Sequence, residues 1–406
     1  MKTLKALIHA FKEYDYKSFS WLTFLTVYII GGISIYMMYV LDDGDIDFFS
    51  KQLLGYGIGF FVIMFFAGID YHVLARFFIL IYLIGIALLL ICRFSNSGLV
   101  YGWAHYDARR WIKVGGDPTA GINNDGFEFQ PSDVVKVSLI IFFAKYFDLL
   151  RKKIKKIWVL ILAIVIIMIP TFLILTQTDL STSIVVVLLF SAMLFVSGVP
   201  FKYLLAIAGV TIPTLGVLYW YVQQPFQVIL KEYQQNRLLA AKTPELYPEL
   251  TYQQTNAASA IKSGELFGRV FEENNKLTGT MYVPVKESDF IFTGIAEEFG
   301  FIGSVVVILL FLLLIMLSFR IALRAKDYLG KMIAIGIGSL FLFQVFINIG
   351  VVTSLLPNTG IPLPLMSAGL SSLLVYLGMI GMLLNISMQP AHKIVKTTDE
   401  FESIND

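Results

Sequence analysis

The stretch ESDFIFTGIAEEFGFIG, Glu287 to Gly303, runs straight into SVVVILLFLLLIML, Ser304 to Leu317. A hydrocarbon core about 30 Å thick is crossed by about 20 apolar residues of helix, so the second run reads as a membrane span. Its threshold carries Asp289, Glu297 and Glu298. An unpartnered acid in hydrocarbon costs about 3 kcal/mol or more, so acids so placed mark ion pairs or sites. At about 100° per residue, Glu297 is displaced by roughly 80° from Asp289 and Glu298 by roughly 180°. One helix face cannot serve all three, so at least one acid must meet other helices. For Glu297 and Glu298 an internal salt bridge competes with function. Asp289 falls where a long loop becomes a helix, at the mouth of any outer cavity.

The whole chain matches this reading. It has 406 residues, 57% hydrophobic and 15% charged, against about 25% charged in soluble domains, and a mean hydropathy of +0.74. A net charge of +2 lacks the concentrated basic face of a nucleic-acid binder, so no nucleic acid is expected as a partner. The one cysteine, Cys92, cannot form an intrachain disulfide. His9, His72, His105 and His392 are too scattered for a histidine-built metal site. Phosphate-binding, zinc-protease and nucleophile-elbow motifs are missing, and no organic cofactor is expected.

Apolar runs predict about ten spans, near residues 18–40, 53–69, 77–94, 134–150, 157–177, 183–199, 203–222, 290–319, 332–356 and 369–389. The expectation is an all-α polytopic membrane protein forming a single domain over residues 1–406. The first run is too long for a signal-peptide core and reads as a retained anchor. Lys2, Lys5, Lys12 and Lys17, the RKKIKK turn at 151–156, and Arg320, Arg324, Lys326 and Lys331 fall on one side, with the tail 390–406. That side is expected to be cytoplasmic, both termini included. Leu4, Leu7, Ile8 and Phe11 recur at helical spacing, so residues 1–17 read as an amphipathic segment on the membrane or, equally, as a tail. The loops 95–133 and 223–289 are then extracytoplasmic, and the material for a site is concentrated outside.

Three further segments supply outer-face chemistry. In ARRWIKVGG, Arg109, Arg110 and Lys113 form a basic group beside Trp103 and Trp111, suited to phosphate oxygens or to snorkelling at the interface. In FEFQPSDVVK, Pro131 reads as a first-turn residue and Asp133 as complement to the helix N-terminus. Asp133 can pair with Lys136 three residues on, which lies just inside a span and needs a partner or a ligand. Asp179 in TQTDLSTS is a turn acid at the membrane edge. Gln344 and Asn348 share a helix face, as a substrate contact or interhelical glue, and the stiff loop PNTGIPLP, Pro357 to Pro364, is expected to line a cavity.

The segments ARRWI, FQPSDVVK, QTDLST, SDFIFTGIAEEFG and NIGVVTSLLPNTGIPLPLMSAGLSS, in this order, resemble the SEDS family (shape, elongation, division and sporulation), which includes RodA, FtsW and SpoVE. QVFINIG and GIPLPL look more RodA-like. The resemblance spans most of the chain, and its joint pattern is highly specific. It implies a peptidoglycan glycosyltransferase that polymerises lipid II at the outer face of the bacterial cytoplasmic membrane, with a class B penicillin-binding protein as partner. Asp289 matches the family's essential acid, and Arg109, Arg110 and Lys136 match its conserved basic residues. Lys113, Asp133, Asp179, Glu297, Gln344, Asn348 and Ser367 complete the expected substrate-binding set. On this reading Asp289 is the general base on the acceptor 4-hydroxyl, which attacks C1 of the donor with inversion. Undecaprenyl diphosphate leaves, its charge met by the basic residues or a divalent cation, Mg or Mn.

The chain departs from the family pattern at Asp133 (Glu in the family), Thr178 (Pro), and Ser181, Lys262, Glu265 and Leu370 (Gly). The stretch 115–129 is also about ten residues longer. Losing glycine forbids some positive-φ conformations, so altered loops are expected. A lipid-linked sugar flippase and a non-catalytic scaffold for a penicillin-binding protein stay open at this point.

Overall fold

Long apolar runs close their backbone hydrogen bonds internally, and in hydrocarbon only a helix or a closed barrel can do so. In the computed structural model each of the ten apolar runs is a helix. The structure describes residues 14–42, 46–95, 100–105, 108–115, 127–224, 226–228, 235–236, 239–240, 243, 246–270 and 277–389. Most of the expected amphipathic segment 1–17 and the tail 390–406 lie outside the described residues.

We number the helices α1 (Trp21–Leu41), α2 (Asp47–Gly68), α3 (Tyr71–Arg76), α4 (Phe78–Phe94), α5 (Pro131–Leu149), α6 (Ile157–Thr176), α7 (Leu180–Val196), α8 (Phe201–Val222), α9 (Pro248–Ser263), α10 (Ile291–Arg324), α11 (Tyr328–Val352) and α12 (Leu370–Ser387). Among the described residues, 7 are long and apolar enough to cross a membrane by length and composition: α1, α2, α6, α8, α10, α11 and α12. Helices α4 and α7, each of 17 residues, are equally apolar but shorter. Helix α5 carries Asp133, Lys136, Lys145 and Asp148 within its apolar length.

Helix α11 is buried along most of its length and forms the centre. Helix α12 lies along α2 at very short range: a Cβ on Gly381 would stand 2.7 Å from the carbonyl oxygen of Ile63, so only glycine permits that approach. Helix α8, by contrast, is exposed along nearly its whole length.

Two segments expected to be extracytoplasmic hold regular structure among their described residues. The 95–133 segment holds β1 (Val100–His105), β2 (Ala108–Val114) and β3 (Phe127–Phe129), an antiparallel sheet in the order β1-β2-β3. An all-α architecture is therefore complete only for the bundle. The alternating aromatic and branched residues of VYGWAH and ARRWIKV are a strand signal that their charges concealed. The register pairs Trp103 with Trp111 and Lys113 with Glu128, and it shifts between Trp103 and Ala104, leaving Arg110 as the extra residue of a bulge in β2. The 223–289 segment contains α9, which packs against α10.

The α9–α10 contact also explains a break in α10. Gly300 stands at φ 67°, ψ −163°, and a Cβ there would meet Gly268 N at 2.3 Å. The loop after α9 threads into this notch, with Arg269 N and Val270 N donating to Glu298 O and Phe301 N donating to Glu265 O. Glu265 itself adopts φ 45°. The left-handed geometry is thus present at a non-glycine position, at a backbone cost of roughly 1–2 kcal/mol.

At the opposite end of the bundle both ends of the described chain meet, with Asp15 N donating to Met388 O at 2.9 Å. Arg151 of the RKKIKK turn lies 4.6 Å from the Tyr328 ring centroid, which puts two basic turns on this same face.

Candidate active site

Asp289 sits two residues before α10, and the backbone around it is tied from three directions. Asn348 Nδ2 donates to Asp289 O at 2.7 Å and to Ile361 O at 2.7 Å. Ser367 Oγ donates to Ser288 O at 2.6 Å, and Ala368 N donates to Glu287 O at 2.8 Å. The carboxylate is left with little: Ser288 Oγ donates to Oδ1 at 3.0 Å, and Gly360 (φ 69°) lies close against Oδ2. No cation stands within ion-pair distance of it among the described residues. Burial therefore pushes Asp289 up to about 6, opposed by the Ser288 hydroxyl and the Arg110 charge and reinforced by Asp179 and Glu287. A rigid frame around a weakly partnered acid is the arrangement a general base requires.

The bulge at Arg110 re-aims its side chain. Arg110 Nη2 donates to Thr178 O at 2.6 Å, while Nε, though buried, has no acceptor among the described residues. Thr178 holds φ 62°, which the proline of the family pattern cannot adopt, so this turn takes its own path. Asp179 caps α7, accepting from Thr182 N at 3.1 Å and Thr182 Oγ1 at 2.8 Å. Gln130 Nε2 reaches Asp179 at 3.5 Å, and Ser181 Oγ donates to Thr359 O. Strand β2, the 177–181 turn, the PNTGIPLP loop and the entry to α10 thus converge around Asp289.

Other candidates are spent elsewhere. Lys136 pairs with Asp133 at 2.6 Å, both almost fully buried. Lys136 Nζ also donates to Tyr376 OH at 3.3 Å, Gln344 Nε2 donates to the same hydroxyl at 2.9 Å, and Ser372 donates to Asp133. This cluster joins α5, α11 and α12, because a cation inside a bundle is tolerable only with a counter-ion. Lys136 and Gln344 Nε2 are thus both engaged by the Tyr376 hydroxyl. Lys113 lies 4.1 Å from the Trp103 ring centroid and 3.8 Å from Glu128, a sheet contact. Arg109 lies toward Cys92, whose Sγ donates to Arg109 O at 3.6 Å.

Glu297 is held by the loop before α10. It is fully buried and accepts from Gly279 N at 2.8 Å, Thr280 N at 2.6 Å and Thr280 Oγ1 at 2.6 Å, with Arg269 at 3.6 Å. Glu298 points elsewhere and accepts from Tyr36 OH at 2.6 Å. Both acids hold the outer loop and α1 to α10, while Asn348 and Ser367 position Asp289 from behind. Sequence reading missed a second brace on the PLPLM loop. Ser34 Oγ donates to Met366 O at 2.7 Å, Gln52 Nε2 to Ser34 Oγ at 2.8 Å and Tyr56 OH to Leu365 O at 2.6 Å. The signal was available: Ser34 and Gln52 are polar residues inside apolar runs.

Fold and site together define a polytopic helical membrane protein with a framed acid at one end of its bundle. A family model described as cell cycle protein, the FtsW/RodA/SpoVE model, matches residues 15–392, and the chain belongs to that family. An FtsW protein of Geobacter sp. (strain M18) is 33% identical over 347 residues, covering 84% of this chain and 86% of its own. The peptidoglycan glycosyltransferase MrdB of Escherichia coli (strain K12) is 32% identical over 293 residues, covering 70% of this chain and 72% of its own. A chain of a peptidoglycan synthase complex superposes with a TM-score of 0.72 at 23% identity, covering 91% of this chain and 97% of that one, a likeness of fold alone.

Proposed function

We propose that this protein is a peptidoglycan glycosyltransferase of the bacterial cytoplasmic membrane that polymerises lipid II at the extracytoplasmic face. The observation that carries the mechanism is Asp289: framed by Asn348, Ser367 and Ala368, without an ion-pair partner among the described residues, and pushed up to about 6. Near neutral pH it is ionised yet basic enough to take a proton. In the proposed reaction it accepts the proton of the acceptor 4-hydroxyl as that oxygen attacks C1 of the donor sugar. The C1–O bond to the diphosphate breaks, configuration inverts, and undecaprenyl diphosphate departs. Arg110, whose charge acts on Asp289 and whose buried Nε has no acceptor among the described residues, is the basic group proposed to meet that charge.

Among the described residues no three His, Cys, Asp or Glu side chains form a metal-holding group. No step is therefore routed through Mg or Mn, and chelation with EDTA reads their contribution. The orientation rests on the basic turns sharing one face, which makes the Asp289 end extracytoplasmic. A class B penicillin-binding protein is the proposed partner. A lipid-linked polymer substrate explains why an acid stands at a span's threshold: the sugar is in water while its tail lies between helices.

The test is polymerisation of purified lipid II by wild type and Asp289→Asn, with and without a class B partner, each checked for monodispersity. Glycan strands from wild type and none from the variant are expected. Equal product from both would remove Asp289 from the chemistry, and no product from either, with partner bound, would return the flippase or scaffold reading.

A further inference from the structure

At the end of the bundle remote from Asp289, a cavity of about 420 Å³ opens between the start of α1, the last turns of α10 and the end of α12. Its polar lining carries Lys17, Arg320 and Arg324, and its apolar lining includes the buried Leu317 and Ile321 and the exposed Leu22. Arg320 and Arg324 stand one turn apart on α10 and are exposed, as is Lys17. None of the three has a carboxylate within ion-pair distance among the described residues. The nearby Asp15 is engaged by Lys17 N at 3.1 Å and Ser18 Oγ at 2.7 Å. Trp21, 69% exposed, stands at the rim, the position interfacial tryptophans take at headgroup level.

We infer that this cavity binds the headgroup of an anionic phospholipid of the cytoplasmic leaflet. Three convergent cations match a phosphodiester, and arginine presents a planar donor fork to its oxygens. Ser20, whose hydroxyl pairs with Thr23 Oγ1 at 2.7 Å rather than with a backbone N–H of the first turn, lines the same space. The apolar wall continues along the packed α1 and α10, giving the first carbons of an acyl chain a dry surface. A free phosphate would use the cations but gain nothing from Leu22, Leu317 and Trp21. That combination of charge outside and apolar surface within favours a lipid, as in basic pockets between helices at the cytoplasmic side. The site is separate from the proposed chemistry, so its test does not depend on polymerase activity.

The experiment is native mass spectrometry of the full chain in detergent, titrated in parallel with phosphatidylglycerol, phosphatidylcholine and inorganic phosphate. Wild type should retain phosphatidylglycerol in preference to phosphatidylcholine. The double variant Arg320→Gln/Arg324→Gln should bind it roughly 30-fold more weakly, about 1 kcal/mol being assigned to each basic group. Arg320→Lys/Arg324→Lys should recover most of the difference. The control Lys152→Gln/Lys153→Gln removes two charges from the same face outside the cavity and should bind as wild type does. Equal losses in both Gln variants would reduce the effect to diffuse charge and overturn the site. Unchanged binding in Arg320→Gln/Arg324→Gln would overturn it too, as would saturation of the same site by inorganic phosphate.

Discussion

Asp289 and Asp327 are both carboxylates at the end of a helix bundle, beside the first turn of a long helix, yet their surroundings drive them apart. Asp327 caps α11 through Gly330 N at 2.8 Å and meets His72 Nε2 at 2.6 Å, while Asp70 meets His72 Nδ1 at 2.7 Å. Burial alone would raise Asp70 and Asp327, but the hydrogen bonds from His72 and from backbone N–H groups outweigh it and hold both below the usual carboxylate range. His72 is pushed up to about 9, first by its hydrogen bond to Asp327 and then by Asp70. Asp289 has one hydroxyl and a more distant guanidinium, and burial wins. A fold that neutralises an acid makes a clamp of it. One that frames the backbone and starves the carboxylate makes a base.

The sharpest break in that contrast is kinetic. Asp289→Asn should lose about 10²–10⁴-fold in polymerisation rate with an unchanged melting curve. In wild type the base must be ionised, so the rate should rise with pH through about 6 and then level. A flat profile between about pH 5 and 8 would put the essential proton on another group.

Next in size is the buried pair. Lys136→Ala leaves Asp133 charged without its counter-ion, a loss of about 3–5 kcal/mol, read as a lower melting temperature or failure to accumulate. Asp133→Leu/Lys136→Met removes both charges and should restore folding and polymerisation together. A double variant that folds but makes no glycan would return Lys136 to the substrate.

How far these roles were legible follows from their range in sequence. The helices and the paired i, i+3 spacing of Asp133 and Lys136 are local, and composition reveals them. Asp289 stood out because a loop acid at a span's threshold has few structural uses. For Glu297 an internal salt bridge competed with function on the sequence, and only the fold shows its oxygens filled by the 279–280 backbone. The sheet was hidden for a related reason: Arg109, Arg110 and Lys113 read as one basic patch, whereas strand pairing and a bulge divide them. Bulges and cross-chain ties depend on partners distant in sequence, which spacing cannot report.

Arg110→Ala sharpens the outer half of the comparison. Loss of a charge-assisted contact of roughly 1.5–3 kcal/mol should slow polymerisation about 10- to 150-fold. It should also move the midpoint of the pH profile upward, since Arg110 holds the Asp289 carboxyl down. Slowing without that movement would make Arg110 a scaffold for Thr178 alone. On the other face, His72→Ala should leave the rate near wild type and lower the melting temperature modestly, the ring being part-exposed. Because the folded His72 pKa lies above the free value, the clamp's contribution is complete below about 6.5 and is lost as pH rises through about 9. The melting temperatures of wild type and His72→Ala should therefore converge at alkaline pH, and a constant gap would assign the effect to packing.

The smallest expected effect asks whether the outer loop is strained or merely different. Glu265 at φ 45° stands where the family pattern has glycine, and its carbonyl anchors Phe301 N at the break in α10. Glycine there would relieve the left-handed strain of roughly 1–2 kcal/mol but would add backbone freedom to the unfolded chain. Glu265→Gly should consequently be more stable by about 0.5–1 kcal/mol, with a small rise in melting temperature. Since Glu265 is exposed, no buried contact offsets the gain. A fall in melting temperature would show that its side chain secures the loop to α10, and the departure from glycine would then be a fastening in its own right.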